Sequence, residues 1–219
     1  KKVFITGITG QDGAYLSKLL ISKGYKVFGA HRKSSSINDW RLKSLGVFKK
    51  INFVEFDFLN LKKIMRTIEK IEPEMIFNLA AQSSVSTSFE KPIITSEING
   101  LGALKILEAV KVINKRIKLY QASSSEMFGK AVSKLQDEKT PFYPKSPYGL
   151  SKLFAHWANI NYRETYQMFV CSGILFNHES PLRGNEYITK KIVSGLTKIK
   201  FNKQKVLKIG NIETKRDWG

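Results

Sequence analysis

The sequence predicts an α/β fold built on a doubly wound parallel sheet. Short apolar runs typical of strands alternate with stretches whose apolar residues recur at helical spacing. A glycine-rich turn joins the first strand to the first helix, and polar residues follow the central strands. Strict alternation of strand and helix favours parallel βαβ units, whose ligands bind beyond the carboxyl ends of the strands.

The predicted elements follow one another without an internal repeat or a low-complexity tract. Gly24 is placed to end the first helix, and Pro73 closes the second. The predicted strands cover residues 3–6, 27–30, 51–56, 75–80, 117–121 and 169–175. The predicted helices cover residues 14–23, 61–71, 93–113 and 148–167.

Composition and charge narrow the classes of protein. The 219 residues include 37 Lys+Arg and 18 Asp+Glu, a formal charge of +19. The lysines are scattered in pairs, which favours a solvated basic surface over a nucleic-acid-binding one. A basic nucleic-acid-binding protein on an inert scaffold stays open as the alternative of another class. No apolar run reaches membrane-spanning length, and the single cysteine, Cys171, fits a reducing compartment. We therefore expect a cytoplasmic protein with no membrane partner and no metal site.

The stretch "ITGITGQDGAYL" predicts a phosphate-binding turn. Gly7, Gly10 and Gly13 lie between a predicted strand and a predicted helix. Glycine permits the tight turn and the close approach of backbone to a pyrophosphate, which the free N–H groups of the helix N-terminus then bind. A glycine-rich turn without a ligand is the alternative.

The end of the second strand indicates which dinucleotide binds. An Asp or Glu there usually accepts from the ribose 2′-hydroxyl of NAD, but "VFGAHRKSSS" has no acid. Arg32 and Lys33, with Ser34 and Ser35, suit a 2′-phosphate, so we predict NADP, with an ordinary basic loop as the alternative. Asp57, after the third strand, is expected either to accept from the adenine amino group or to cap a helix.

A tyrosine and a lysine four residues apart, Tyr148 and Lys152, are candidates for the reaction centre. On a helix the two share a face, and the ammonium lowers the pKa of the phenol from about 10 toward the working pH. Tyr187 and Lys191 have the same spacing. The hydroxyl of Ser124, after a central strand, selects the first pair. Ser124, Tyr148 and Lys152 resemble the catalytic triad of short-chain dehydrogenases.

Glu126 suggests more than a simple hydride transfer. Once C4 of a sugar is oxidised to a ketone, the hydrogen on C5 becomes acidic. A carboxylate beside the hydroxyl can remove that hydrogen while the C6 hydroxyl leaves as water. Glu126 therefore points to a dehydratase, and a surface glutamate is the alternative.

Seven stretches together resemble the GDP-mannose 4,6-dehydratase family of extended short-chain dehydrogenases, over essentially the whole chain. In order they are "ITGITGQDG", "RKSSS", "NLAAQSSV", "QASSSEMFGK", "TPFYPKSPYGLSKLFAHW", "GILFNHESPLRG" and "KRDWG". The resemblance implies a Rossmann-type NADP-binding domain with the catalytic residues over 1–175. Residues 176–219 would begin a smaller nucleotide-sugar-binding portion, because the family continues beyond "KRDWG". It also implies a homodimer or homotetramer, with the Tyr148 helix at a dimer seam.

The resemblance also implies a reaction on GDP-mannose. Tyr148 takes the proton of the C4 hydroxyl as hydride passes to NADP, Glu126 removes the C5 proton, and hydride returns to C6 to give GDP-4-keto-6-deoxymannose. Ser124 stands where the family usually has threonine. A dehydratase or epimerase of a related nucleotide sugar, such as a GDP-heptose, and a catalytically silent fragment stay open.

The resemblance assigns most of the binding residues. The implied NADP contacts are Gly7, Ile8, Thr9, Gly10, Gln11, Asp12, Gly13, Arg32, Lys33, Ser34, Ser35, Asp57, Phe58, Leu79, Ala80, Ala81, Gln82, Ser83, Tyr148, Lys152, His178 and Arg183. The implied substrate contacts are Ser83, Ser124, Glu126, Asn177 and Arg216.

Overall fold

Six parallel strands form one sheet. They are β1 (Lys2–Thr6), β2 (Lys26–His31), β3 (Asn52–Glu55), β4 (Met75–Asn78), β5 (Lys118–Ser124) and β6 (Val170–Leu175). Their order across the sheet is β3-β2-β1-β4-β5-β6. The order reverses between β1 and β4, where sheets of this class bind ligands. The structure, a computed structural model, describes residues 1–32, 38–213, 215 and 217–219. The predicted α/β class with a doubly wound parallel sheet is confirmed.

Eight α-helices lie along the described chain. They are α1 (Gln11–Ser22), α2 (Trp40–Ser44), α3 (Leu61–Ile71), α4 (Val85–Glu90), α5 (Pro92–Ser96), α6 (Gly102–Ile113), α7 (Pro147–Tyr166) and α8 (Ile188–Lys200). The chain divides into two compact units, Lys1–Leu175 and Phe176–Gly219. The first holds the sheet with α1 to α7, and the second holds α8.

The bounds of α3 follow from its sequence. The side chain of Asn60 caps the helix by accepting from the N–H three residues later, at 3.1 Å. Ile64, Ile68 and Ile71 recur at helical spacing and are buried. Glu72 then adopts a left-handed conformation with φ of 51°, which ends the helix before Pro73 can.

The prediction of one helix over residues 93–113 is wrong in one respect. The right-handed helical path continues from α5 to α6, but Glu97–Leu101 between them is a π-helical turn. This wider turn carries Asn99, which is buried and hydrogen-bonded through its side chain. The helices α2 and α4 were not predicted because five or six residues are too few to display a period. The prediction also omitted α8.

The hydrophobic core lies on the face of the sheet that α3, α6 and α7 cover. Phe4, Ile76 and Leu119 of the three central strands meet Leu107 of α6 and Tyr162 of α7 there. Removing a buried leucine such as Leu107 typically costs about 2–5 kcal/mol, so this packing fixes the central strands and α7 relative to one another. The carboxyl edge of the sheet is therefore a rigid frame for a site.

The strand β5 is longer than predicted. It runs to Ser124, because pairing with β6 continues until Ser124 meets Leu175. Ser124 is thus the last residue of the strand rather than a residue beyond it.

In the described ranges, no helix is long and apolar enough to cross a bilayer. The same residues contain no group of three or more His, Cys, Asp or Glu placed to hold a metal ion.

Candidate active site

The glycine turn brings the end of β1 against the segment that follows β4. Gly7 has φ of +69°, and a Cβ there would lie 2.7 Å from the Ala80 nitrogen. A Cβ on Gly13 would lie 2.5 Å from the Gly7 carbonyl oxygen. Both positions therefore require glycine. Gly10 is the N-cap of α1 and has no side chain to satisfy the first N–H groups of the helix, which fits a phosphate bound there.

Other predicted residues of the turn differ in exposure. The side chain of Ile8 is fully buried, so only its backbone is available to a ligand. Gln11 is buried and Asp12 is half-buried in the first turn of α1. The Thr9 carbonyl accepts a 3.2 Å hydrogen bond from Arg41 of α2. Sequence reasoning missed Arg41 because α2 itself was missed, and this half-buried guanidinium adds positive charge beside the turn.

The end of β2 carries an exposed cation. The strand ends at His31, and Arg32 follows with an exposed side chain. Neither residue is an acid that could accept from a ribose hydroxyl. Lys33, Ser34 and Ser35 lie outside the described residues.

The position of Asp57 corrects one of its two predicted roles. Its Oδ1 accepts from the N–H of Leu59 at 3.0 Å, and Lys63 lies 3.8 Å from its other oxygen. Asn60, not Asp57, caps α3, so the capping role is wrong. Phe58 packs edge-on against Phe56, with ring centroids 5.0 Å apart.

The segment after β4 lies beside the glycine turn. Leu79, Ala80, Ala81 and Gln82 are half-buried, and Ser83 is exposed. The N–H of Leu79 donates to the Thr6 carbonyl at 3.3 Å. The Oε1 atom of Gln82 is buried and has no hydrogen-bond partner among the described residues. That unsatisfied acceptor fits a bound dinucleotide that brings a donor.

A buried amide, which sequence reasoning also missed, joins this segment to α7. Asn99 accepts from the N–H of Gln82 at 2.8 Å and donates to its carbonyl at 3.1 Å. The same amide donates to the Ser151 hydroxyl at 3.2 Å, and Ser151 donates to the Tyr148 carbonyl at 2.7 Å. Asn99 therefore braces the loop after β4 and the start of α7 together.

Ser124 and Glu126 form a short turn at the end of β5. The hydroxyl of Ser124 is nearly buried and accepts from the Glu126 N–H at 3.2 Å, capping a 3₁₀ turn over Ser125–Met127. The carboxylate-bearing side chain of Glu126 is half-buried. Ser124 thus caps this turn, which places its hydroxyl beside the backbone of Glu126, a potential base.

Tyr148 and Lys152 lie on the first turns of α7. The helix begins at Pro147 after Ser146, whose hydroxyl accepts from the Gly149 N–H at 3.0 Å. The Lys152 ammonium lies 5.9 Å from the centre of the Tyr148 ring, which confirms that the two share a face. Tyr148 itself is half-buried.

The ammonium of Lys152 is held inside the protein. Lys152 is only 3% exposed, and its Nζ donates to the Ala122 carbonyl of β5 at 2.8 Å. Burial lowers the pKa of Lys152 to about 8, so the charged form still dominates at neutral pH. Because α7 packs on β5 and on the turn that carries Glu126, the four residues that bear the hydroxyl, the carboxylate, the phenol and the ammonium all lie at one edge of the sheet. Such a set of side chains can donate and accept protons.

The remaining predicted residues belong to the second unit. Tyr187 precedes α8, and its ring stacks on the Arg183 guanidinium at 3.6 Å; Arg183 also lies 3.2 Å from Glu179. Asn177 forms a parallel bridge with Trp218. The ring of His178 is hydrogen-bonded at 2.8 Å to the Phe176 carbonyl. Arg216 lies outside the described residues.

Comparison with known proteins identifies the family. A model of the family described as GDP-mannose 4,6 dehydratase matches residues 4–219. The chain belongs to this family. Membership favours the enzyme prediction over a basic nucleic-acid-binding protein.

Relatives from distant organisms share the whole of this chain. It is 43% identical to the GDP-mannose 4,6-dehydratase of Vibrio cholerae, 100% of this chain matching 61% of that protein. The enzyme of Sinorhizobium fredii is 45% identical, with 100% and 64% covered. GDP-mannose 4,6 dehydratase 1 of Arabidopsis thaliana is 46% identical, with 100% and 63% covered. The chain therefore spans a little over three fifths of the length of these curated relatives.

Solved structures share the fold. The dTDP-glucose 4,6-dehydratase of Bacillus anthracis, solved in complex with NAD, aligns with a TM-score of 0.77 at 26% identity, covering 90% of this chain and 61% of that one. An epimerase of Methanothermobacter thermautotrophicus aligns with a TM-score of 0.82 at 24% identity, covering 100% and 63%. The second likeness shows the fold alone.

Proposed function

We propose that the full-length protein containing this chain is a GDP-mannose 4,6-dehydratase. The substrate is GDP-D-mannose and the product is GDP-4-keto-6-deoxy-D-mannose. The observation that carries the proposal is the turn at the end of β5, which joins the Ser124 hydroxyl to Glu126 beside the helix of Tyr148 and Lys152. A hydride-transfer enzyme needs only the hydroxyl, the phenol and the ammonium, whereas a dehydratase also needs the carboxylate. Family membership supports the same conclusion.

The first half of the reaction uses Tyr148. Its phenolate accepts the proton of the C4 hydroxyl while a hydride leaves C4, so that C4 becomes a ketone. The positive charge of Lys152 stabilises the phenolate, and the Ser124 hydroxyl orients the sugar oxygen. A nicotinamide dinucleotide, when bound, supplies the redox chemistry as acceptor of the C4 hydride and donor of a hydride to C6.

The second half uses Glu126. The C4 ketone acidifies the hydrogen on C5, and the Glu126 carboxylate removes it as a proton. The bond from C6 to its hydroxyl then breaks, and that hydroxyl leaves as water with a proton from Glu126. After a hydride reaches C6, C5 takes up the proton that Tyr148 accepted from the C4 hydroxyl, so Tyr148 and Glu126 both return to their starting forms. The sum is the loss of one water with no net oxidation or reduction.

We infer that the dinucleotide is NADP. The glycine turn, the uncapped N-terminus of α1 and the buried acceptor of Gln82 support a dinucleotide of either kind. The choice between NAD and NADP rests on charge. The end of β2 carries Arg32 in place of an acid, and Arg41 adds a second cation beside the turn. The sugar pyrophosphate contacts predicted for Asn177 and Arg216, and the dinucleotide contacts predicted for His178 and Arg183, stay predictions.

Assembly, domain limits and location also stay predictions. We propose a homodimer or homotetramer in which α7 packs against its copy. Exposed Leu150, Phe154 and Trp157 give α7 an apolar outer face, which supports that arrangement. We further propose that residues 1–175 bind the dinucleotide, that residues 176–219 begin the nucleotide-sugar portion, and that the protein is cytoplasmic.

Mass spectrometry of the sugar nucleotide tests the function. The full-length protein is incubated with GDP-mannose and a catalytic amount of NADP, and the absorbance of NADPH is followed in parallel. We expect the mass to fall by one water with no net NADPH. If NADP binds but the mass of GDP-mannose stays unchanged, the proposed substrate is wrong, and a GDP-heptose is the next candidate.

A further inference from the structure

A row of polar side chains crosses three central strands at the carboxyl edge of the sheet. Thr6 of β1 is the register partner of Asn78 of β4, and Asn78 is the register partner of Gln121 of β5. All three are buried, at 0%, 2% and 2% exposed. Their strands are otherwise rich in apolar residues, so the row interrupts a hydrophobic face.

Hydrogen bonds join the row into one chain with a single direction. The Ala80 N–H donates to the Thr6 hydroxyl at 3.1 Å, and that hydroxyl donates to Asn78 Oδ1 at 2.6 Å. Asn78 Nδ2 donates to Gln121 Oε1 at 2.7 Å, and Gln121 Nε2 donates to the Ala122 carbonyl at 3.2 Å. Neither amide can flip without facing donor to donor or acceptor to acceptor, so the chain has one arrangement.

The chain ends on the carbonyl that holds Lys152. The Ala122 oxygen accepts from the Lys152 ammonium at 2.8 Å as well as from Gln121. A carbonyl oxygen has two lone pairs, so these two donors fill it. Gln121 is therefore the neighbour with which the ammonium shares its anchor.

This row calls for a role beyond stability. A buried polar row must be fully hydrogen-bonded to be tolerated, whereas apolar residues of similar shape could fill the same strand positions with little change in stability. The proposed reaction does not use Thr6, Asn78 or Gln121 directly. The row connects the backbone of Ala80, beside the glycine turn, with the Ala122 carbonyl that binds the Lys152 ammonium.

We propose that Gln121 is a positioning residue for Lys152. Supported by Thr6 and Asn78, it fixes the position of the Ala122 carbonyl. It also competes with the Lys152 ammonium for hydrogen bonding to that carbonyl oxygen. The Ala80 segment and the ammonium are thereby held in one network. This inference rests on the role of Lys152 in the proposed function.

The titration of Lys152 tests the proposal without substrate or dinucleotide. The full-length protein is labelled with [ε-¹³C]lysine, and the Lys152 signal, assigned with the Lys152→Met variant, is followed by NMR from pH 6 to 11. The ring of Tyr148 is the titratable group that faces the ammonium from α7, and it is unchanged in every variant compared. The midpoint of the Lys152 titration depends on the groups around its ammonium. If Gln121 had a purely structural role, its substitution would leave this midpoint unchanged.

Two substitutions have different expected shifts. Gln121→Glu keeps the shape but replaces the donor with a carboxylate oxygen, so the Lys152 midpoint should rise by about one to two pH units. Gln121→Met removes the donor without adding charge, so the carbonyl serves the ammonium alone and the midpoint should rise by less. If the Glu variant does not fold, the Met variant decides the matter. An unchanged or lowered midpoint in the folded variants overturns the proposal.

Asn159→Leu is the matched control. Asn159 is a buried amide on the same helix as Lys152 and donates to the Ser172 hydroxyl at 2.8 Å. Substitution of Asn159 should leave the midpoint of the Lys152 titration at the wild-type value. If the midpoint rises as much as in the Gln121 variants, then removing any buried polar side chain has the same effect, and the proposal is overturned. Because no sugar is present, a wild-type protein that fails to convert GDP-mannose would refute the proposed function and leave this test intact.

Discussion

The hydroxyl of Ser124 accepts a hydrogen bond from the backbone N–H of Glu126 at 3.2 Å. This bond folds the chain into a tight turn where β5 ends, so Ser124 and Glu126, two residues apart, both lie at the carboxyl edge of the sheet. The relationship involves only the backbone of Glu126. Its carboxylate can therefore be changed without breaking the turn.

Glu126→Gln should separate oxidation from dehydration. Glutamine keeps the size of the side chain and the backbone bond to Ser124 but cannot remove the C5 proton. We expect dehydrated product to form at least about 100-fold more slowly, while some NADPH still appears on mixing with GDP-mannose. Stopped-flow absorbance and mass spectrometry measure the two events. The control is Glu138→Gln, an exposed acid of the following loop. Product at the wild-type rate would place the C5 base elsewhere.

Tyr148→Phe should stop the reaction before oxidation. Phenylalanine keeps the ring beside Lys152 and removes only the phenolic oxygen that we propose accepts the C4 proton. Turnover should fall about 100- to 10,000-fold with NADP affinity unchanged. Calorimetry measures binding, and the loss of water measures turnover. Tyr166→Phe, at the other end of α7, serves as the control. Near-normal turnover of the Tyr148→Phe variant would refute the base assignment.

Gly7→Ala tests the close approach of the glycine turn to Ala80. Gly24→Ala is matched to it, because Gly24 also has positive φ, at 78°, but open space where a Cβ would lie. The Gly24 variant should lose only about 1 kcal/mol of unfolding free energy from backbone strain. The Gly7 variant should lose more and should also bind NADP at least about tenfold more weakly. Urea unfolding and calorimetry measure both, and equal effects of the two substitutions would contradict the packing argument.

Arg32→Ala should weaken NADP more than NAD. If the guanidinium after β2 contacts the 2′-phosphate, its loss removes a charge-assisted interaction that NAD never makes, and NADP affinity should fall about tenfold or more. Dissociation constants for both dinucleotides are compared by calorimetry. Arg116→Ala is the control, an exposed arginine at the opposite edge of the sheet, just before β5. Equal losses for NAD and NADP would mean that Arg32 does not read the phosphate.

The elements that the sequence predicted correctly are those marked by a pattern in the local sequence. The alternation of apolar runs located all six strands, and the pairing of Tyr148 with Lys152 followed from helical spacing. The ends of elements were less accurate. Pairing with β6 extends β5 to Ser124, and a left-handed residue ends α3, and neither is visible in hydrophobic periodicity.

The missed part of the site depends on contacts between distant residues. Asn99, Asn78 and Gln121 gain their partners only when a π-helical turn and the strand register bring them together. One signal was available: single polar residues, Thr6, Asn78 and Gln121, occur at or near the ends of apolar runs in three strands. When the three strands are compared, that pattern indicates a buried polar row. The hydrogen bonds between its members depend on the strand register, which is known only from the folded sheet.

The burial of Lys152 predicts a pH dependence of stability. Its pKa of about 8 in the folded protein lies below the 10.5 of an ordinary lysine. Below about pH 8 the lysine is protonated in both the folded and unfolded states, so it adds no pH dependence there. Between pH 8 and 10.5 the unfolded chain binds more protons than the folded one. The free energy of unfolding should therefore rise with pH, by roughly 3 kcal/mol in total at 1.36 kcal/mol per pKa unit.

Comparison with Lys152→Met isolates this effect from the other titrating groups. Urea unfolding of both full-length proteins, without dinucleotide, is measured at intervals from pH 7 to 10.5. Methionine fills the site without a charge, so the variant should be the more stable protein at pH 7. That advantage should shrink steadily above pH 8, because the wild-type lysine loses its buried charge. A difference in unfolding free energy that stays constant over this range would show that the ammonium is not destabilised in the fold, and the buried anchor on Ala122 would then need another explanation.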